Sequence, residues 1–140
     1  EFPDRSAILS IGEFHQPVKA RRILRMVEGG LLTGEDLQES YIFGYTILDS
    51  IKTIYALSGF DFYRIFGATT ERVLVFTKVG LGRSPLVAIR VSQLKPRMVV
   101  LHGPKVVDRL AVELARRERI ILALSTLKNE EAFTQILTKL

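Results

Sequence analysis

At 140 residues, 47% apolar and 25% charged, the chain has the length and composition of one folded domain and lies outside the disordered range. The absence of cysteine excludes disulfides, thiolate metal sites and cysteine nucleophiles, and two histidines leave little room for a histidine-rich metal centre. The net charge of +5 is concentrated in residues 61–100, which hold seven basic and two acidic groups, a patch that favours anions, nucleic acid among them.

The chain begins Glu1-Phe2-Pro3 without methionine. This start reads as a domain cut from a longer protein, with residues 1–5 as cloning or linker residues and 6–140 as a single α/β domain. No signal peptide is visible, and no apolar run approaches the roughly 18 residues of a membrane helix. The protein is therefore expected to be cytoplasmic and not membrane-bound, in keeping with the missing cysteines. One asparagine, Asn129, and two methionines point to a heat-adapted source.

In chain order, Ala7–Gly12 is short, apolar and closed by glycine, and predicts a strand. Pro17 opens a helix of about 12 residues with Ala20, Ile23, Leu24 and Val27 at helical spacing, ended by Gly29-Gly30 as a C-cap. Thr33-Gly34-Glu35-Asp36 predicts a second helical start. Tyr41–Leu57 is the most apolar helix candidate. A helix apolar on more than one face is central or forms an oligomer contact, so a homo-oligomer, a dimer first, is expected through this segment. Phe62–Ala68, Arg72–Val79 and Leu86–Val91 predict three strands of a meander, with Val79–Pro85 as a glycine-rich hairpin. Met98–Leu101 and Ile120–Leu124 are wholly apolar strands, followed by helices at Lys105–Arg117 and Glu130–Leu140. Strand–helix–strand–helix with apolar strands means a parallel crossover covered by helices. The fold class is α/β: a mixed sheet with a C-terminal parallel βαβα unit, a central apolar helix and a β-meander.

In such sheets ligands bind outside the carboxyl ends of the parallel strands, where helix starts offer free N–H groups. Both histidines lie in His-x-Pro at an expected strand end and helix start: His15-Gln16-Pro17 and His102-Gly103-Pro104. Lys19 and Lys105, in the expected first helical turns, are electrostatically misplaced by a few tenths to about 1 kcal/mol, which suggests a bound anion. The first candidate site is His102, Gly103 and Lys105, with Ser125 and Thr126 adding hydroxyls, and with His15 and Lys19. A second candidate is the phosphate-cradling type of loop, Gly80-Leu81-Gly82-Arg83-Ser84, although a hairpin tip is its default reading. A nucleic-acid alternative uses Arg72, Lys78, Arg83 and Arg90 on the basic meander. No serine elbow, paired-carboxylate motif, metal cluster or cofactor fingerprint is present, so catalysis is not expected.

Lys95–Gly103, Val107-Asp108-Arg109-Leu110-Ala111 and Ile120–Ser125 together resemble the closing unit of small α/β regulatory domains. These segments are similar to domains of the DRTGG type and to uncharacterised effector domains of archaeal winged-helix transcription regulators. The Asp-Arg-Thr-Gly-Gly signature itself is absent. The resemblance covers about the last third of the chain and implies a sensing or dimerising domain without catalysis. The functional expectation is a regulatory domain of a larger intracellular protein that binds a small anionic ligand. A nucleic-acid module is the alternative, and an enzyme acting on a phosphorylated metabolite a further one.

Overall fold

The computed structural model describes residues 7–56 and 62–140. The linker expectation for residues 1–5, and the end of the expected helix at Leu57, lie outside the described residues. Six strands form one mixed sheet: β1 (Ile8–Lys19), β2 (Gly29–Thr33), β3 (Tyr41–Asp49), β4 (Arg72–Thr77), β5 (Met98–Leu101) and β6 (Ile121–Ser125). Their order is β1-β3-β4-β5-β6-β2. Strands β3 to β6 are parallel and in sequence order, and β1 and β2 close the two edges antiparallel. The helices are α1 (Ala20–Met26), α2 (Ser50–Ala56), α3 (Arg83–Val91), α4 (Arg109–Arg117) and α5 (Glu131–Leu137). The expected α/β class, mixed sheet and C-terminal βαβα unit are all present.

Each central strand alternates between two buried faces. Val73, Val75, Val100 and Ala123 pack with Ile23 and Leu24 of α1 and Phe133 and Leu137 of α5. Leu74, Phe76, Val99, Leu101 and Leu122 pack with Leu86 and Ile89 of α3 and Ala111 and Leu114 of α4. Every residue of β4 and β5 is buried. Parallel strands covered by helices on both sides read as continuous apolar runs for this reason.

That same double burial reshapes the middle of the expected fold. Tyr41–Asp49 is a strand, and only from Ser50 does the chain turn helical. With both faces covered, β3 is apolar at nearly every position, so its sequence lacks the two-residue period and imitates a greasy helix. Gly44 to Ser50 are buried inside this chain. Of the surface expected to make an oligomer contact, the large apolar residues Tyr41, Phe43 and Ile51 are exposed among the described residues. The expected meander is also revised: Phe62–Ala68 contains a 3-10 turn at Tyr63–Phe66, and Leu86–Val91 lies in α3. Pro85, Leu86 and Ile89 are buried while Val87 and Val91 are exposed, which is helical spacing and not alternation. Val79–Pro85 is thus a strand-to-helix loop instead of a hairpin.

Smaller corrections follow the same logic. Pro17 lies in β1, where the pairing with β3 is interrupted between Glu13 and Val18, and α1 starts three residues later. Gly29 and Gly30 open β2, and the left-handed residue after α1 is Glu28, at φ 52. The expected second helical start is one 3-10 turn at Glu35–Leu37. Helix α4 starts at Arg109, where the Asp108 side chain accepts a hydrogen bond from the Leu110 N–H, so Lys105 precedes the helix and Leu110 is exposed. Helix α5 is shorter than expected, but Asn129 does accept at its start, from the Ala132 N–H.

Candidate functional site

The parallel registers bring the carboxyl ends of four strands to one edge. Asp49 pairs with Thr77, Phe76 with Leu101, and Leu101 with Leu124. At this edge the ends of β3 and β4 run into two adjoining cavities. The larger, about 340 Å³, is lined by Ser50, Thr53, Phe62, Phe76, Pro85 and Ala88 among others. The smaller, about 320 Å³, lies against Lys78 and the loop Gly80–Ser84. Ser50, Arg83, Ser84 and Pro85 border both. Ligand sites are commonly concave, apolar and of this size or larger.

The polar groups at the edge are held by specific bonds. Asp49 is 3% exposed and accepts from the Lys52 N–H at 3.0 Å. Lys78 Nζ lies 3.3 Å from Asp49 and 3.0 Å from Glu130. Burial pushes the Asp49 carboxyl up, but the Lys52 N–H and the Lys78 ammonium outweigh it and hold the pKa below the ordinary 3.8. The Glu130 carboxylate is the main cause that raises Lys78, against its partial desolvation. Because the folded value for Asp49 is depressed, its contribution to stability is present above 3.8 and is lost as pH falls through the folded value. Acidification below 3.8 should therefore lower the melting midpoint more steeply for the parent chain than for Asp49→Asn. Equal acid slopes in the two proteins would remove Asp49 from the account.

The loop after β4 is conformationally unusual. Lys78 is at φ 56 and Gly82, the residue before α3, is at φ 89. A Cβ at Gly82 would lie 2.8 Å from Leu101 Cδ1. No side chain caps α3, and the backbone N–H groups of Gly80 through Ser84 donate to nothing among the described residues. Helix starts carry such orphan donors. The loop is steadied from the far side: the Asp108 N–H donates to the Leu81 carbonyl at 2.8 Å, and Arg83 donates to Asp108 at 3.1 Å. That bond is the chief cause lowering the Asp108 pKa.

His102, Gly103, Ser125 and Thr126 do share this edge, but their bonds run inward. The His102 ring meets Phe133 edge-on, with centroids 5.1 Å apart, and Nε2 lies 2.7 Å from the Leu127 carbonyl. A carbonyl only accepts, so Nε2 carries the proton. Gly103, at φ 128, packs against the Val79 backbone. Ser125 Oγ donates to the Val27 carbonyl, and Thr126 Oγ1 to Glu28. Lys105 is exposed in the turn after Gly103. His15 and Lys19 lie elsewhere. His15 is on β1, where its N–H bonds the Leu140 carbonyl. Lys19 pairs in register with Tyr41 at the amino end of β3, and its ammonium is 2.9 Å from Glu39. The two His-x-Pro sequences therefore occupy unlike places.

The four basic residues of the nucleic-acid alternative are all engaged with carboxylates. Arg72 is fully buried beside Glu13; Lys78 meets Asp49 and Glu130, Arg83 meets Asp108 and Arg90 meets Glu118. They form no stripe on a meander. Among the described residues, no three histidine or acidic side chains gather as a metal-ligand set, and no helix is long and apolar enough to cross a membrane.

Sequence reasoning weighed Gly80–Ser84 but treated it as a hairpin tip, and it missed Asp49, Ser50 and Thr53. The available signal was Gly82 followed by Ser84-Pro85 after an apolar strand, since proline is tolerated in a first helical turn. Asp49-Ser50 carried a similar helix-start signal.

Over 136 residues the chain is 41% identical to an uncharacterized HTH-type transcriptional regulator of Methanocaldococcus jannaschii, a match that covers 96% of this chain and 56% of that protein. It is 45% identical over 124 residues to an uncharacterized HTH-type transcriptional regulator of Archaeoglobus fulgidus, covering 87% of this chain and 53% of that one. No family model matches, so none supports the DRTGG likeness. No solved structure matches significantly. The chain thus spans about half the length of the curated relatives it matches, and it resembles archaeal proteins named as HTH-type transcriptional regulators along nearly its whole length.

Proposed function

We propose that this chain is the regulatory, ligand-sensing domain of a larger transcriptional regulator, and that it binds a small anionic ligand at the carboxyl edge of β3 and β4. One observation carries the reading: the unbonded N–H groups of Gly80–Ser84 border two adjoining cavities at the place where parallel α/β sheets take ligands. The similarity to HTH-type regulators supports the regulatory half of the reading. His102 and Gly103 act as supports of the loop: the Val79 N–H donates to the His102 carbonyl at 3.1 Å. The nucleic-acid alternative has less behind it, because its cations are already paired.

A thermal-shift screen tests the proposal. Small anionic metabolites and short DNA are compared at low and moderate salt. A ligand at about 100 times its Kd adds roughly 2.7 kcal/mol to the folded state, which is a shift of several degrees for a domain of this size. The expected result is a small-molecule shift that survives moderate salt. A shift with DNA alone, lost as salt rises, would reject sensing in favour of a nucleic-acid module. Lys105→Glu locates the ligand along the edge: retained affinity points to the β4 loop, and lost affinity to the turn after β5.

A further inference from the structure

We infer that the ligand of this edge is a carboxylate on an apolar body of aryl or branched-alkyl size, with its head at Gly80–Ser84 and Ser50 and its body in the larger cavity. This inference rests on the sensing role proposed above. Ser50 is 5% exposed and borders both cavities, and its hydroxyl makes no hydrogen bond among the described residues. Among the described residues no buried side-chain polar atom lacks a partner, so this unbonded hydroxyl opens onto the cavity. An open hydroxyl on a cavity wall, facing the space beside an uncapped helix start, is a donor awaiting an acceptor. Phe62, Phe76, Pro85 and Ala88 supply the apolar part of the wall.

Charge selects the head group. The nearby cations, Lys52, Lys78 and Arg83, are already balanced by three carboxylates: Asp49, Glu130 and Asp108. That balance leaves no free cation to neutralise a doubly charged phosphate monoester. A singly charged carboxylate can be held by backbone N–H groups and the Ser50 hydroxyl without a free cation. A cavity of about 340 Å³ also suits a small body and not a dinucleotide.

The test is an amide-resonance titration of the 140-residue chain with phenylacetate, isovalerate, phenyl phosphate and benzyl alcohol. Phenylacetate and isovalerate should move the Gly80–Ser84 amides saturably, with benzyl alcohol and phenyl phosphate weaker by roughly tenfold. Ser50→Ala should raise the carboxylate Kd about fivefold and leave the melting midpoint unchanged, since the hydroxyl has no partner to lose. Tighter binding of phenyl phosphate at the same amides would overturn the carboxylate class and leave the sensing edge standing. Unchanged carboxylate affinity in Ser50→Ala would overturn the role of Ser50. If no compound in this set or in the thermal screen moves Gly80–Ser84, both the ligand class and the edge are rejected.

Discussion

Replacing Arg72 with methionine should lower the stability of this protein by about 3–5 kcal/mol, a large share of the roughly 5–15 kcal/mol that holds a domain folded. Arg72 is the largest fully buried side chain among the described residues. Its guanidinium donates to the carbonyls of Gly12, Tyr45, Phe66 and Thr69, to the Thr46 hydroxyl and to both Glu13 oxygens, at 2.6–3.2 Å. One side chain thereby ties β1, β3 and the 3-10 turn to the start of β4. Methionine fills similar volume but leaves those acceptors buried without donors, which is the expensive half of a broken buried network. Glu13→Gln should cost far less, about 1 kcal/mol, because Glu13 is 42% exposed and water takes over its bonds. Urea denaturation of the two variants checks the pair. A loss below about 1 kcal/mol for Arg72→Met would mean that the carbonyls find other donors.

Gly103→Ala is expected to destabilise by about 3 kcal/mol and to disturb the ligand edge. At φ 128 the backbone occupies a region that L side chains rarely adopt. A Cβ there would sit 2.7 Å from the Val79 carbonyl oxygen and 3.0 Å from its nitrogen, so backbone and not a flexible side chain would have to move. The Val79 N–H to His102 carbonyl bond is the contact forced apart, and it fixes the entry to Gly80–Ser84. A Ser125→Ala control, which loses the bond donated to the Val27 carbonyl and the one accepted from the Leu127 N–H, should cost about 2 kcal/mol. Thermal melts rank the three proteins. Gly103→Ala melting with the parent would show that the turn after β5 relaxes freely and would detach it from the β4 loop.

What could be read along the chain depended on how each element is buried. Met98–Leu101 and Ile121–Ser125 are short apolar runs bounded by polar turn residues, and α4 and α5 show helical spacing, so the C-terminal βαβα unit was legible from local pattern. Its sequence also placed His102 and Gly103 correctly at a strand end. Tyr41–Asp49 was not legible, because a strand covered on both faces loses its alternation and resembles a buried helix. Leu86–Val91 was obscured by the glycines before it, whose use in a strand-to-helix loop is set by the parallel pairing of β4 and β5.

The candidate site shows the same division. Composition, lack of cysteine, net charge and the class of fold follow from the sequence by itself, because they are sums or local periodicities. The meeting of Ser50 with Gly80–Ser84 does not, and neither does the burial of Arg72 against carbonyls of two distant strands, β1 and β3. Both depend on the parallel register that sets Asp49 beside Thr77 and Gly44 beside Arg72. Local sequence specifies which residues prefer strand or helix; only long-range pairing, which joins residues far apart in the chain, decides which polar groups are satisfied and which are left open to a ligand.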